Sequence, residues 1–265
     1  METTMQNVVA LVTGGASGMG KCAAEMIIKN GGKVVIADVN TAGEDVATEM
    51  GENAVFIQTN VTSEKDVMEA LKLTKEKFGK LNVLINCAGI IGGEPFYDFD
   101  IDQPHSIDGW NKYFEVNTFG TFNVIRLAMA MMKENEPDKD KQRGVIINIG
   151  SIAGYGISDG YLAYGASKAA VMSMTEPLAR FLAPLGIRVL ALAPGLCDTT
   201  MLTNTLSTEE QNFFINETMN PVRLGKPEEM AHLMKCLIEN HFMNAEVIRI
   251  DAGHRPCNKK CNPIN

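Results

Sequence analysis

The chain has 265 residues, 45% of them hydrophobic and 21% charged, with a formal net charge of -8. That length and composition fit a globular protein with a sizeable core, and the acidic balance excludes a nucleic-acid backbone binder, which needs a basic excess to displace counterions. No apolar run reaches the roughly 18–20 residues that span a bilayer, and residues 1–7 carry no basic side chain, so neither membrane insertion nor a secretory or transit leader is expected and the expected location is the cytoplasm.

Residues 8–12 are the first continuous apolar run, the pattern of a strand buried on both faces. Thr13-Gly14-Gly15-Ala16-Ser17-Gly18-Met19-Gly20 follows and opens a helix pattern over residues 18–30. Glycines between strand and helix permit a tight turn and let a pyrophosphate approach the N–H groups of a helix N-terminus. The spacing is G-x-x-x-G-x-G, which differs from the G-x-G-x-x-G of many dinucleotide turns. Glycines mark turns everywhere, and it is the position between strand and helix that points to a dinucleotide. The second run, residues 34–37, ends at Asp38, 18 residues after Gly20. A carboxylate there accepts hydrogen bonds from an adenosine ribose and repels a 2′-phosphate, which favours NAD over NADP. Its plain alternative is a turn residue or helix cap. Lys21 and Lys33 are the nearest cations.

Runs at residues 54–57, 83–85, 145–149, 189–193 and 247–250 complete a set of seven, with helix patterns over residues 64–78, 120–134 and 165–183. This alternation, with no repeat or linker, predicts a single-domain α/β fold. The expected architecture is a Rossmann-type, doubly wound parallel sheet of about seven strands with helices on both faces. Residues 1–150 are expected to be mainly the cofactor-binding half, 151–255 the catalytic and substrate half, and 256–265 a polar extension. Ligands of such sheets bind outside the carboxyl ends of the strands. Residues 92–109 and 199–221 leave such ends and read as pocket walls, against the alternative of plain surface insertions.

Tyr164 and Lys168 stand four apart on a predicted helix and so share a face. A free tyrosine, with a pKa of about 10, is a poor base at neutral pH, and a neighbouring ammonium favours its phenolate. In isolation such a pair reads as a solvated helix face. Beside a dinucleotide turn, and with Ser151 13 residues upstream of Tyr164, it reads as proton-transfer machinery. Tyr161 has Gly165 four residues on and lacks such a partner.

Taken in order, Thr13 to Gly20, Asn86-Cys87-Ala88-Gly89, Val116-Asn117, Ser151, Tyr164-Gly165-Ala166-Ser167-Lys168 and Pro194-Gly195 resemble the short-chain dehydrogenases/reductases over nearly the whole chain. Thr62-Ser63-Glu64-Lys65-Asp66-Val67 and residues 120–127, 142–148 and 246–251 are similar to one branch in particular. That branch holds the type 2 3-hydroxyacyl-CoA dehydrogenases, also described as type 10 17β-hydroxysteroid dehydrogenases. The resemblance implies an NAD-dependent enzyme that interconverts a secondary alcohol and its ketone by hydride transfer. Tyr164 would be the general base or acid, Lys168 would lower its pKa and hold the nicotinamide ribose, and Ser151 would bond the substrate oxygen. Asn117 would support a water chain to Lys168. Gly14, Ser17, Gly18, Met19 and Gly20 would meet the pyrophosphate, and Asn60, Val61, Cys87, Ala88 and Gly89 the adenosine. Pro194, Cys197 and Thr199 would close over the carboxamide. Asn60 departs from the branch, which usually has Asp there. The family also implies a homotetramer, with a homodimer as alternative, packed through residues 114–132 and 165–181, and adds the mitochondrion as a second location.

Residues 91–106, 154–160 and 202–221 diverge from the branch, and a kept scaffold with a changed wall implies a changed substrate. Residues 199–220 contain Glu209, Glu210 and Glu217 but no Lys or Arg, whereas an acyl-CoA would favour cations at the mouth. The expected substrate is a lipophilic secondary alcohol, terpenoid or steroid-like, against Ile91, Phe96, Phe99, Phe213, Phe214 and Met219, each of which also reads as core beneath a loop. A 3-hydroxyacyl-CoA or hydroxysteroid, an NADPH-dependent reductase and a catalytically silent nucleotide-binding scaffold stay open. The six cysteines read as buried free thiols. No metal is expected, although Cys257 and Cys261 faintly suggest a metal or disulfide pair, and no HExxH pattern occurs.

Overall fold

The computed structural model describes residues 4–156 and 159–255. Seven strands form one sheet: β1 (Val9–Thr13), β2 (Lys33–Asp38), β3 (Ala54–Gln58), β4 (Val83–Asn86), β7 (Gly144–Ile149), β8 (Ile187–Pro194) and β9 (Val247–Ile250). Between them, β5 (Tyr97–Asp98) and β6 (Gln103–Pro104) make a separate antiparallel ribbon. The sheet order is β3-β2-β1-β4-β7-β8-β9 and every neighbouring pair is parallel. All seven predicted runs are strands of this sheet, with bounds shifted by no more than two residues. The signal was strong because β1 and β8 are buried along their whole length and, Thr13 and Arg188 apart, are apolar.

Successive side chains of each strand enter opposite layers. Ala10, Val12, Ile36, Ile85, Ile147 and Leu192 pack on one face, against α1 (Gly18–Lys29) and α10 (Pro227–Glu239). Leu11, Val35, Leu84, Ile146 and Val189 pack on the other, against α3 (Glu64–Phe78), α5 (Thr121–Met132) and α7 (Thr175–Leu182). Successive strands are laid down to one side from β1 to β3 and to the other from β4 onward, so a crevice opens at the carboxyl ends of β1 and β4.

The helices differ from expectation in several places. The pattern over residues 165–183 is two helices, α6 (Leu162–Ser173) and α7. Pro177 has no N–H to offer the carbonyl four residues back, so the ladder is interrupted there. The α5 region is preceded by α4 (Ile107–Tyr113) and then a π-helical stretch, Phe114–Gly120, which holds Asn117. Residues 199–221 carry α8 (Thr200–Thr205) and α9 (Thr208–Ile215). α9 begins with a capping box, in which Ser207 and Glu210 satisfy each other's backbone N–H groups. The short α2 (Gly43–Met50) and α10 lie outside the predicted patterns.

No helix among the described residues is long and apolar enough to cross a membrane. Cys22, Cys87, Cys197 and Cys236 are free, but only Cys197 is buried and Cys236 is exposed, which corrects the expectation of uniformly buried thiols. Cys257, Cys261, the rest of the 256–265 extension, and Ile157 and Ser158 of the divergent 154–160 segment lie outside the described residues.

Candidate active site

The glycine turn leaves β1 and folds back on itself. Gly14 has a positive φ of 65°, and a Cβ there would lie 2.7 Å from the Ala88 nitrogen, so the turn sits directly on the segment leaving β4. Thr13 ties the two together, its hydroxyl accepting from the Ala88 N–H at 3.3 Å and its carbonyl from the Cys87 N–H at 3.1 Å. A Cβ on Gly20 would run into the Gly14 carbonyl. Ser17 stands at the N-cap of α1 in an extended conformation and makes no side-chain cap. The first-turn N–H groups of α1 therefore lack that partner, as an anion-accepting helix end requires. Gly20→Ala is expected to cost about 1–3 kcal/mol of stability through overpacking and to weaken dinucleotide binding. Thermal unfolding with and without NADH reads both effects.

Asp38 ends β2 and fills both roles weighed for it. One carboxylate oxygen accepts from the Ala16 N–H at 3.0 Å, bracing the glycine turn, and the other from the Asn40 N–H at 2.9 Å, closing its own turn. Each oxygen can still accept a further bond. The Asn60 side-chain oxygen is taken up locally by the Thr62 N–H and hydroxyl, both at 3.0 Å. Val61 is buried, and its carbonyl accepts from the Asn123 amide at 2.8 Å.

At the chemical end, Ser151, Tyr164 and Lys168 come together, all buried. Ser151 leaves β7 and accepts the Ala153 N–H at 3.1 Å. Tyr164 and Lys168 project from α6, and the lysine donates to the Ile149 carbonyl at 2.9 Å. Burial pushes the Lys168 ammonium down to about 8, partly opposed by Cys87. Burial also raises the Tyr164 phenol above its ordinary value, and a hydrogen bond with Ser151 works the other way. The expected lowering of the phenol by Lys168 is thus not what governs the protein alone, where desolvation dominates. Cys87 and Cys197 are each pushed up to about 12 by burial and stay thiols at neutral pH.

Asn117 is fully buried behind this group. Its side-chain oxygen accepts from the Ile90 N–H at 2.8 Å, and its amide donates to the Ile90 carbonyl and the Ser167 hydroxyl, both at 3.0 Å. It clamps the segment after β4 to α6. Its side-chain oxygen and the Lys168 nitrogen would lie 3.0 and 3.2 Å from a Cβ at Gly89.

A cleft of about 450 Å³ opens over Ser151, Tyr164 and Lys168 and is continuous with Met19, Cys87, Gly89, Pro194, Cys197 and Thr199. Asp38, Asn60 and Val61 lie beyond its lining. Ile91, Phe213 and Phe214 form part of its wall, as expected. Phe96, Phe99 and Met219 do not, being 72%, 76% and 69% exposed. The ribbon of β5 and β6 turns the first two outward, with Phe99 resting on Tyr97. Spacing alone set Tyr161 aside, yet it lines the cleft and meets Phe214 edge-on, with ring centres 6.3 Å apart. Glu217, within the 199–221 segment expected to form a pocket wall, also lines it, as does His254, which carried no sequence signal of doing so.

Residues 8–210 match the family model described as short chain dehydrogenase. The chain is 47% identical to 3-hydroxyacyl-CoA dehydrogenase type-2 of Rattus norvegicus over 253 residues, covering 95% of this chain and 97% of that protein. It is 36% identical to ipsdienol dehydrogenase of Ips pini, covering 97% of this chain and 100% of that one. The crystal structure of 3-hydroxyacyl-CoA dehydrogenase type-2 from Mycobacterium avium superposes with a TM-score of 0.91 at 34% identity, covering 98% of this chain and 100% of that one. With its switch-point glycine turn and its buried serine, tyrosine and lysine, the chain belongs to the short-chain dehydrogenase family and resembles its 3-hydroxyacyl-CoA dehydrogenase type-2 branch.

Proposed function

We propose that this protein is an NAD-dependent oxidoreductase that interconverts a lipophilic secondary alcohol and its ketone. The observation that carries the proposal is the convergence of Ser151, Tyr164 and Lys168 on one cleft whose wall is otherwise largely apolar. When bound, the nicotinamide accepts or returns the hydride.

The chain's own residues divide the remaining work. The turn of Gly14, Gly18 and Gly20, with Ser17 and Met19, receives the pyrophosphate at the N-terminus of α1. Asp38 accepts the ribose hydroxyls and disfavours a 2′-phosphate. Asn60, Val61, Cys87, Ala88 and Gly89 flank the adenosine, and Pro194, Cys197 and Thr199 the carboxamide. Lys168 spends one of its three N–H donors on Ile149 and has two for ribose hydroxyls. Ser151 accepts the Ala153 N–H and so directs its own proton toward Tyr164 or the substrate oxygen. Tyr164 takes the alcohol proton at its phenolic oxygen, or gives it back in reduction. A raised phenol is a ready acid for the reductive direction, and cations beside it make it the base for oxidation. Asn117 is a positioning residue. Its side chain is committed to Ile90 and Ser167, so a water chain to Lys168 would meet its main-chain carbonyl, which also accepts the Thr121 hydroxyl.

Among the described residues, Lys168 is the one Lys or Arg that lines the cleft, which favours a neutral substrate such as a terpenoid or steroid-like alcohol over an acyl-CoA. The names of the type-2 relatives favour a second reading, a 3-hydroxyacyl-CoA. An NAD-coupled screen of hydroxyacyl-CoAs, hydroxysteroids and terpenoid alcohols separates the two. Turnover of hydroxyacyl-CoA alone would sink the first reading. Asp38→Asn is expected to narrow the preference for NAD over NADP by about tenfold, the scale of one lost charged contact, read as the ratio of kcat/KM values. A homotetramer packed through Phe119, Phe122 and Phe181, all exposed in the single chain, is the assembly we infer, and sedimentation checks it.

A further inference from the structure

At the amino ends of the strands, opposite the end that carries the cleft, three potential metal ligands converge. Asp138 and Asp140 belong to the loop between α5 and β7, and His241 follows α10. The His241 Nδ1 stands 3.6 Å from an Asp138 carboxylate oxygen and 3.5 Å from an Asp140 oxygen. One ligand atom from each residue lies within 4.8 Å of the other two, and among the described residues this is the one such group of three. The Asp138 and His241 side chains are 12% and 20% exposed. They line a cavity of about 410 Å³ together with Asn82, Gly144 and Arg188, at the starts of β4, β7 and β8.

The spacing is that of ligands around a single small cation. Nitrogen and oxygen ligands about 2.0–2.2 Å from a tetrahedral zinc lie roughly 3.3–3.6 Å from each other, with the metal to one side of the line that joins them. The same spacing is longer than an ordinary hydrogen bond. Two carboxylates so close repel each other, and a single Nδ1 proton can serve only one of them. A second observation points the same way. The Gln142 side-chain oxygen is buried, lines the same cavity and has no hydrogen-bond partner, a costly state for an amide. It is a further oxygen for a cation or for a water bound to one. Local bonds hold the ligands in place. The Asp138 Oδ1 accepts from the Asp140 N–H at 2.9 Å and the Gln142 N–H at 2.8 Å, so Oδ2 is the atom that faces His241. Arg188 fixes the end of α10, donating to the Leu237, Ile238 and Met243 carbonyls at 2.8, 3.0 and 2.8 Å. Its charge also acts on Asp138, which tempers the pull on a cation and sets the expected affinity in the micromolar range.

We propose that Asp138, Asp140 and His241 hold one divalent transition-metal ion that ties the loop after α5 to the end of α10. An imidazole nitrogen beside carboxylate oxygens suits zinc and its neighbours, whereas magnesium and calcium take oxygen ligands. The ion is structural. It sits at the opposite end of the strands from Tyr164 and Lys168, takes no part in hydride transfer, and stands independently of the alcohol-dehydrogenase reading.

Calorimetric titration of the full-length protein, stripped with EDTA, against zinc, magnesium and calcium chlorides near neutral pH tests this. Zinc is expected to bind at this site with a stoichiometry of one, and magnesium and calcium about 100-fold more weakly. Zinc at about 100 times its Kd should raise the unfolding midpoint by about 5 °C. His241→Ala and Asp140→Asn are each expected to weaken zinc binding by about 100-fold or more, beyond the loss from disturbing a ligand's support, and to abolish the thermal shift. Both side chains are more exposed than Asp138, which closes the loop and is left in place. Cobalt bound in place of zinc should show d–d absorption without a thiolate charge-transfer band, which separates this site from the cysteines. A protein whose midpoint is the same with zinc and with EDTA overturns the proposal and leaves the three side chains as an ion pair of a protonated imidazole. Zinc binding that survives either substitution, magnesium bound as tightly as zinc, or cobalt held only through thiolate overturns it as well.

Discussion

Replacing Tyr164 by Phe is expected to lower kcat by about 10²–10⁴-fold, the contribution of a positioned acid or base. The ring is buried and sits edge-on to Tyr113 at 6.5 Å, so phenylalanine keeps its packing and NADH binding should persist. The signature is in the pH profile. Burial raises the phenol above its ordinary value, so the wild-type oxidation rate should climb with pH until the phenolate is populated, while reduction should hold up at neutral pH and fall at high pH. In Tyr164→Phe both slopes disappear. Tyr161→Phe changes the cleft wall beside Phe214 and can alter KM, but it keeps both slopes. A wild type that binds NADH but turns over no alcohol, with Tyr164→Phe behaving alike, would make the constellation a nucleotide-binding scaffold, and a Tyr164→Phe protein with wild-type turnover would remove Tyr164 as the acid or base. Rates measured in both directions across pH decide it.

The fold was far more legible than the wall of the cleft, for physical reasons. A strand buried on both faces is mostly apolar, so the runs at the centres of β1, β2 and β8 announce themselves. The tyrosine and lysine were legible because a helix brings positions four apart onto one face. The break between α6 and α7 was also written, in Pro177, but the apolar pattern runs through it and masked it. Glu217 was legible only as part of the 199–221 wall, and His254 carried no such signal. They are 37 residues apart in the chain and meet because backbone bonds join Met219 and Asn220 to Ala252. Phe96 and Phe99 erred in the opposite way: apolarity suggested a pocket, while the ribbon of β5 and β6 turned them outward. Local periodicity reports which face of an element is covered. It does not report which loops share a wall.

Lys168 carries the second large effect, and it acts on activity and stability in opposite directions. Lys168→Met is expected to reduce turnover by about 10²–10³-fold, the scale of one preorganised electrostatic donor lost from a dry site. The same ammonium is a burden to the fold. Its pKa falls from 10.5 to about 8 through burial, a differential of about 3 kcal/mol at 1.36 kcal/mol per unit against the charged form. Removing it relieves that cost but leaves the Ile149 carbonyl without its donor, which costs about 1–3 kcal/mol. The net change near neutral pH is therefore small, and the pH dependence is the sharper test. Below about pH 8 the lysine is protonated in both folded and unfolded chains, and the wild type carries the full penalty. Between about 8 and 10.5 the unfolded chain binds more protons than the folded one, so wild-type stability gains with pH from this group. Met has no proton to lose. The stability of Lys168→Met relative to wild type should fall by about 3 kcal/mol across that window, and urea titrations of the two proteins at its ends measure it. A difference that stays flat would mean that the ammonium is well solvated in the folded protein, and with it would go the reading of Lys168 as a buried charge held ready for the nicotinamide ribose.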